Sequence, residues 1–298
     1  RAPRVLSLSQ MASRAILGEW LGGSGGGWQD SGGVWPGIKV IEGALAGAED
    51  PEYGVSRGCL LPRHRILGSA ELAPDIAEGL ASSLVLVHGG MAQNVGPILE
   101  MVTEKYLLGS DDEWKARHAM KEIFDGLLGA LKEGDIRALA DWTTRNWEGP
   151  LKTIIPWVTN QFTETIIARA KERLGADFWG FLMLGGMSGG GMGMFVAPER
   201  RSAFRDEILD IMHTAKRELE NGLPFAMEPV VYDFQINTVG TQAELLAGSE
   251  ALMPSDYYAL QVPELVKKSP EKVSYLRRAE LDAFTAQPQT PEHTFNLL

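Results

Sequence analysis

The chain has 298 residues, of which 44% are hydrophobic and 22% charged, and its formal net charge at pH 7 is −11. This composition excludes wholesale disorder, and the acidic balance is unlike the basic surface of a nucleic-acid-binding protein. Cys59 is the only cysteine, which excludes an intramolecular disulfide and suits a reducing cytosol. No apolar run approaches the ~18 residues of a membrane span, so a membrane is not an expected partner. Because of the acidic balance, nucleic acid is not an expected partner either.

The first predicted element is a helix that begins at Ser7 or Ser9 and ends at Gly22. It leads into Gly22 to Gly37, GGSGGGWQDSGGVWPG, in which eight of sixteen residues are glycine. Inside a regular element each glycine would cost roughly 0.5–1 kcal/mol relative to alanine, so the stretch indicates a backbone that folds closely around a ligand. Asp30, its one carboxylate, is therefore a candidate base for a hydroxyl proton. The alternative is a mobile surface linker.

Three short strands are predicted next, over Ile38–Ile41, Val55–Leu61 and Leu84–His88, and the last reads as a buried strand because its apolar run is continuous. The basic cluster Arg63-His64-Arg65 is interpreted as a solvated loop rather than a phosphate contact.

Apolar residues at three- and four-residue steps then predict a helical block over Val95–Leu107, Glu113–Leu131, Ile136–Trp147 and Gln161–Leu174. Four tryptophans are predicted to be core anchors of this block, namely Trp114, Trp142, Trp147 and Trp157.

In the C-terminal half, two strands, Phe178–Leu184 and Met192–Val196, are predicted on either side of a glycine-rich turn. A helix, Arg200–Asn221, and a further strand, Val230–Ile236, are predicted to follow. This order favours an α+β fold with helices packed on one face of a mainly antiparallel sheet. Beyond Gly248 the periodicity weakens and prolines recur, so an extended tail that wraps or docks is expected.

Two glycine-rich runs resemble a known family. Ser24-Gly25-Gly26-Gly27-Trp28-Gln29-Asp30 resembles the "TGGGWQD" segment of the fucokinase and heptose-kinase branch of the GHMP small-molecule kinases, where the aspartate is taken as the catalytic base. Leu184 to Gly193, LGGMSGGGMG, is similar to the third motif of that superfamily, often written GAGGGG. The resemblance covers about Ser9 to Val239.

The resemblance implies a GHMP-kinase-like α+β fold in three parts. Residues 1–90 would be the end of the N-terminal domain, with the catalytic glycine loop. Residues 91–248 would be the C-terminal domain, a helical block followed by an antiparallel sheet, and residues 249–298 the tail.

The same resemblance implies an ATP- and Mg²⁺-dependent sugar kinase in which Asp30 takes a proton from the attacking sugar hydroxyl. The implied substrate-binding residues are Gly26, Gly27, Trp28 and Gln29. The implied nucleotide- and phosphate-binding residues are Gly186, Ser188, Gly189, Gly190 and Gly191, because glycine-rich turns form concave anion nests. Asp30 and this turn are predicted to face one cleft. The alternative for the turn is a hairpin whose methionines pack. The five histidines show no paired ligand spacing, so no protein-built metal site is expected.

Several family features are not found in these residues. The phosphate-binding motif that reads roughly GLGSSA does not occur before Ser9, Ser31 replaces a usual glutamine, and Gly90 to Gln93 replaces a commonly basic segment. The start at Arg1 leads us to expect a piece of a longer chain, inactive alone. The strands between Ile38 and His88 are expected to lack sheet partners, so that a missing N-terminal segment, a homo-oligomer or the tail covers an apolar edge.

The function that the resemblance implies is phosphorylation of a hydroxyl, the anomeric one, of a fucose- or heptose-type sugar in the cytoplasm. Two alternatives stay open: a non-catalytic GHMP-fold module that binds a sugar or nucleotide, and a partner-binding half that is complete only with other sequence. The sequence chooses neither the sugar nor the oligomeric state.

Overall fold

The computed structural model describes residues 7–22, 28–50, 61–91, 96–184, 191–222, 226–242 and 252–286. The chain divides into two compact units, residues 1–241 and 242–298. Within the described ranges, no helix combines the length and the apolar character needed to cross a lipid bilayer.

The first unit contains helices and strands in alternating groups. Its helices are α1 Leu8–Leu21, α2 Gln29–Gly32, α3 Ile76–Ser83, α4 Gly96–Leu108, α5 Asp111–Glu133, α6 Ile136–Asn146, α7 Lys152–Ile154, α8 Gln161–Leu174 and α9 Arg201–Glu218. Its strands are β1 Lys39–Glu42, β2 Arg63–Ile66, β3 Leu84–His88, β4 Phe178–Met183, β5 Met192–Val196 and β6 Val230–Tyr232. A π-helical turn, Trp147–Leu151, joins α6 to α7.

Local capping signals set the ends of the helices. The Ser7 hydroxyl accepts a hydrogen bond from the Gln10 amide and the Gln10 side chain accepts one from the Ser7 amide, so a reciprocal capping box starts α1. The Ser110 hydroxyl caps α5, and Gly134, in the left-handed conformation at φ +76°, ends it. The predicted helices at these places are confirmed.

In the part of the chain that the structure describes, the main sheet has four antiparallel strands in the order β4-β5-β3-β6. Leu86 in the middle of β3 pairs with Gly193 on one side and with Tyr232 on the other. The expectation that this strand lacks sheet partners is therefore wrong, because strands from the C-terminal half of the unit flank it. Strands β1 and β2 pair only with each other within the described residues, with Lys39 opposite Ile66.

Helices cover both faces of the main sheet, which corrects the expectation of a single covered face. Val85 and Val87 join a cluster that contains residues of α8 and α9. Leu84 and Leu86, which alternate with them along β3, pack in a second cluster with residues of α3, α5 and α6. Because successive residues of a strand point to opposite faces, the continuous apolar run of β3 serves two cores at once.

Two further expectations fail in the first unit. Arg63, His64 and Arg65 lie in strand β2 and are not a loop. Of the four tryptophans, Trp147 is buried at 2% exposure, whereas Trp114 and Trp157 are 43% and 49% exposed and are not core anchors. The predicted strand Val55–Leu61 falls outside the described residues, except for its last residue.

The second unit is helical in its described part, where the sequence suggested an extended segment. Helices α10 Ser255–Val266 and α11 Tyr275–Thr285 form it, and Pro263 lies inside α10. The ring of Tyr258 stacks on Phe284 at 4.1 Å between centroids, and its hydroxyl donates to Glu280 at 2.9 Å. Proline is unusual inside a helix, which explains why its sequence suggested an extended segment.

Candidate active site

Helix α2 contains the aspartate residue that the sequence singles out. Asp30 lies in this four-residue helix, and the Gly32 amide donates to the Trp28 carbonyl at 3.0 Å. The Trp28 ring covers the backbone of Gly43, where an added Cβ would lie 3.1 Å from the ring. Gln29 is exposed to solvent. The predicted substrate residues Gly26 and Gly27 lie outside the described residues.

The ammonium of Lys39 holds the C-terminal end of α2. Its Nζ donates to the Gly32 carbonyl and to the Trp35 carbonyl, both at 2.9 Å. A positive charge is favourable there, because the last carbonyls of a helix lack intrahelical donors and carry partial negative charge. Burial lowers the pKa of Lys39 below its ordinary value. The two carbonyls offset part of the cost of desolvating this ammonium.

Helix α2 packs directly on strand β1. A Cβ added to Gly32 would lie 2.7 Å from Cδ1 of Ile41, closer than real side chains approach. Glycine at this position therefore lets the backbone of α2 lie against the Ile41 side chain of β1, the strand that begins at Lys39.

A stacked pair of rings lies beside this contact. The Trp35 and His64 rings are 3.8 Å apart between centroids and 14° from parallel. His64 Nδ1 is 3.2 Å from the Pro62 carbonyl, so we assign Nδ1 as the donor. His64 Nε2 is buried and has no hydrogen-bond partner among the described residues.

Backbone hydrogen bonds connect the segment between α2 and β1 to residues far along the chain. The Gly37 amide donates to the Asn237 carbonyl at 2.7 Å, and the Thr241 amide donates to the Val34 carbonyl at 3.0 Å. Ile38 packs against the core that includes α3, α5 and α6. The stretch from Val34 to Ile38 is thus fastened to the main body of the first unit.

Acidification is expected to destabilise this region through His64. Burial lowers the pKa of His64 below its ordinary 6.5, the hydrogen bond to Pro62 opposes the lowering, and the charge of Lys39 adds to it. The unfolded chain therefore takes up this proton first as pH falls. The contribution to stability is complete above about pH 6.5 and is lost as pH falls towards the lower folded-state pKa.

Thermal unfolding of the wild type and of a His64→Phe variant at a series of pH values between about 7.5 and 5.5 checks this. Phenylalanine keeps a ring to stack on Trp35 but cannot titrate. We expect the wild type to lose more stability over this range than the variant does, and parallel pH profiles would show that His64 has no part in it.

The second glycine-rich run is described only at its ends. Gly191 is buried, and its carbonyl accepts a hydrogen bond from the Leu184 amide at 3.1 Å, so it closes the β4–β5 pair. Met192 and Met194 are fully buried, as the hairpin alternative requires. Gly186, Ser188, Gly189 and Gly190 lie outside the described residues. Phosphate binding by this turn, and a cleft shared with Asp30, stay predictions.

A groove of about 480 Å³ lies elsewhere, between α8 and α9. It is lined by Arg169, Glu172, Arg173, Asp210, Ile211 and Thr214. The sequence singles out none of these residues, and their charges are mixed, so the groove does not point to one ligand chemistry.

Sequence reasoning missed three residues that support α2, namely Trp35, Lys39 and His64. No role was predicted for Trp35, and His64 was interpreted only as part of a basic cluster. Lys39 is the first lysine in the chain and lies two residues after the end of the first glycine-rich stretch, and this position is a signal that could have identified it. Which carbonyls it reaches depends on the fold.

No protein-family model matches this chain, and no curated protein matches it either. Three solved structures show a limited likeness, and all three are kinases. A mevalonate kinase from L. major, in complex with R-mevalonate, is 17% identical over 54% of this chain and 43% of its own, with a TM-score of 0.37.

A proposed sugar kinase from Campylobacter jejuni is 18% identical over 79% of this chain and 56% of its own, with a TM-score of 0.47. A galactokinase from Lactococcus lactis, complexed with galactose, is 13% identical over 73% of this chain and 56% of its own, with a TM-score of 0.42. The chain spans about half the length of these proteins. Likenesses at this level do not assign a function to it.

Proposed function

We propose that this chain is part of an ATP-dependent sugar kinase of the GHMP type, of the fucokinase and heptose-kinase branch. It would phosphorylate a hydroxyl, that on the anomeric carbon, of a fucose- or heptose-type sugar. The observation that carries the proposal is the run Gly25 to Asp30, which resembles the catalytic segment of that branch and ends in the short helix α2. A lysine-capped helix packed on a strand is a rigid support for a base.

Phosphoryl transfer depends mainly on positioning and on charge neutralisation. The Asp30 carboxylate would accept the proton of the sugar hydroxyl while that oxygen bonds to the γ-phosphorus and the bond to the ADP oxygen breaks. Trp28 and Gln29 would hold the sugar, and Gly26 and Gly27 would let the backbone approach it. The turn from Gly186 to Gly191 would direct backbone N–H groups at phosphate oxygens.

The described part of the chain contains no group of three or more His, Cys, Asp or Glu side chains that could hold a metal ion. Proteins usually bind Mg²⁺ through one or two carboxylates, several waters and the substrate phosphates, so ATP would supply part of its ligands. Bound in that way, Mg²⁺ would neutralise charge on the phosphates.

The experiment is ATP turnover with a panel of sugars, together with thermal unfolding with and without nucleotide. It uses both this 298-residue chain and a longer protein that contains it. We expect sugar-dependent ADP release from the longer protein, and none from the chain alone, because the GLGSSA-like motif is not found in these residues. The missing part would be a preceding segment or a second copy.

The alternatives give different results in the same assays. Nucleotide or sugar binding without turnover would support a non-catalytic module, which the replacement of a commonly basic segment by Gly90 to Gln93 also favours. Neither binding nor turnover in either protein would contradict the kinase proposal and leave the partner-binding alternative.

A further inference from the structure

We propose that Lys39 is a positioning residue of the proposed kinase site, in which its ammonium fixes the helix that carries Asp30. This inference rests on the proposed function. It assigns to Lys39 a role through the backbone of α2 and no contact with substrate or nucleotide.

The contacts of Lys39 reach both sides of the end of α2. Gly32 is the last residue of the helix and Trp35 belongs to the turn that follows, and one ammonium bonds both carbonyls at 2.9 Å. The Trp35 amide also donates to the Gly32 carbonyl, at 3.2 Å. A single cation therefore joins the helix end, the turn and strand β1.

A four-residue helix cannot hold its own geometry. Isolated helices shorter than about 12–15 residues are marginal in water, so α2 depends on contacts outside itself. Its contacts include residues of α1, the approach of Gly32 to Ile41, the bonds from Lys39 and the pairing of the next turn with the segment around Asn237. Lys39 is a charged group that bonds the helix itself, and bonds from charged donors are among the stronger ones.

The surroundings of Lys39 hold its ammonium in one place. Strand β1 is paired with β2, which fixes the backbone from which the lysine projects. Across the pair, His64 stacks on Trp35. Burial and the charge of Lys39 lower the pKa of His64, so a neutral ring is favoured at about pH 7 and His64 adds no second positive charge beside Lys39.

The consequence is kinetic. Displacing a reacting group by about 1 Å can cost on the order of 10²-fold in rate. Loss of the ammonium would let the end of α2 move and would misplace Asp30 without removing it. The effect should appear in kcat rather than in KM, because the groups proposed to bind the sugar and ATP remain.

The test compares Lys39→Met, Lys39→Arg and the control Lys115→Met in the complete protein. Methionine keeps an unbranched stem and loses the charge, and arginine keeps the charge and the donors. Lys115 is an exposed lysine whose nearest carboxylate oxygen, on Asp112, is 3.7 Å away. Two readouts are measured: steady-state kcat and KM for sugar and ATP, and hydrogen exchange of the Gly32 and Trp35 amides.

For Lys39→Met we expect exchange at both amides to accelerate at least about tenfold, and kcat to fall about 10–100-fold with KM changed less than about threefold. Lys39→Arg should recover most of kcat, and Lys115→Met should match the wild type. If Lys39→Met accelerates exchange but keeps the wild-type kcat, Lys39 is only structural and this inference is wrong. If the wild type itself shows no sugar-dependent turnover, the proposed function fails, and the positioning role fails with it.

Discussion

Replacing Asp30 with asparagine in the complete protein is expected to lower turnover by about 10²–10⁴-fold, the usual contribution of a general base. Asparagine has nearly the same size as aspartate, but its amide cannot accept the hydroxyl proton. The change corresponds to about 3–5 kcal/mol of activation free energy. The fold should be nearly unaffected, because α2 is held by backbone contacts of Gly32 and by Lys39.

The measurement is kcat and KM for sugar and ATP, with thermal unfolding as the test of folding. Asp112→Asn is a matched control, since it removes an exposed carboxylate from the first turn of α5. The control should have wild-type turnover, and its free energy of unfolding should change no more than is usual for a surface substitution. An Asp30→Asn protein with wild-type turnover would remove Asp30 from the mechanism, and one that fails to fold would show that the residue is structural.

The second large effect is expected at Gly180 in strand β4, where alanine should destabilise the protein strongly. An added Cβ would lie 2.4 Å from the Ala140 carbonyl oxygen and 2.5 Å from the Thr144 hydroxyl, both in α6. That hydroxyl accepts the Phe181 amide at 3.0 Å, so the methyl group would also disturb the bond that joins α6 to β4.

Two costs combine at this position. Overpacking by the added methyl group typically costs about 1–3 kcal/mol. The backbone angle of Gly180, φ +155°, is one that residues with a side chain rarely adopt, and such backbone strain costs about 1–3 kcal/mol more. Together they are a large part of the roughly 5–15 kcal/mol by which a domain is stable.

Chemical denaturation of Gly180→Ala beside Gly129→Ala measures the effect. Gly129 lies within α5, and an added Cβ there would meet nothing within 4 Å. Alanine at Gly129 should therefore stabilise the protein by up to about 1 kcal/mol through its better helix propensity. The same substitution is expected to act with opposite signs at the two sites. Equal stabilities for Gly180→Ala and the wild type would contradict the close approach of α6 to β4.

Local signals in the sequence predicted much of the first unit. Helix α1 was predicted from Ser7 and its apolar spacing, because capping is a contact between residues three or four positions apart. Helix α5 was predicted from apolar residues at three- and four-residue steps. Strand β3 was predicted from five consecutive residues. For the candidate site, the motif identified Trp28, Gln29 and Asp30, and the roles of these three residues stay predictions.

The tertiary structure decided what depends on residues distant in sequence. The sequence did not show that β3 lies between β5 and β6, or that α6 approaches Gly180 too closely for any side chain. Nor did it show that Lys39 reaches two carbonyls of the Asp30 helix region, or that Trp35 stacks on His64. The physical reason is that composition and periodicity report which face of an element is apolar, whereas the partner of that face, and the carbonyl within reach of an ammonium, are set only when elements far apart in the chain pack together.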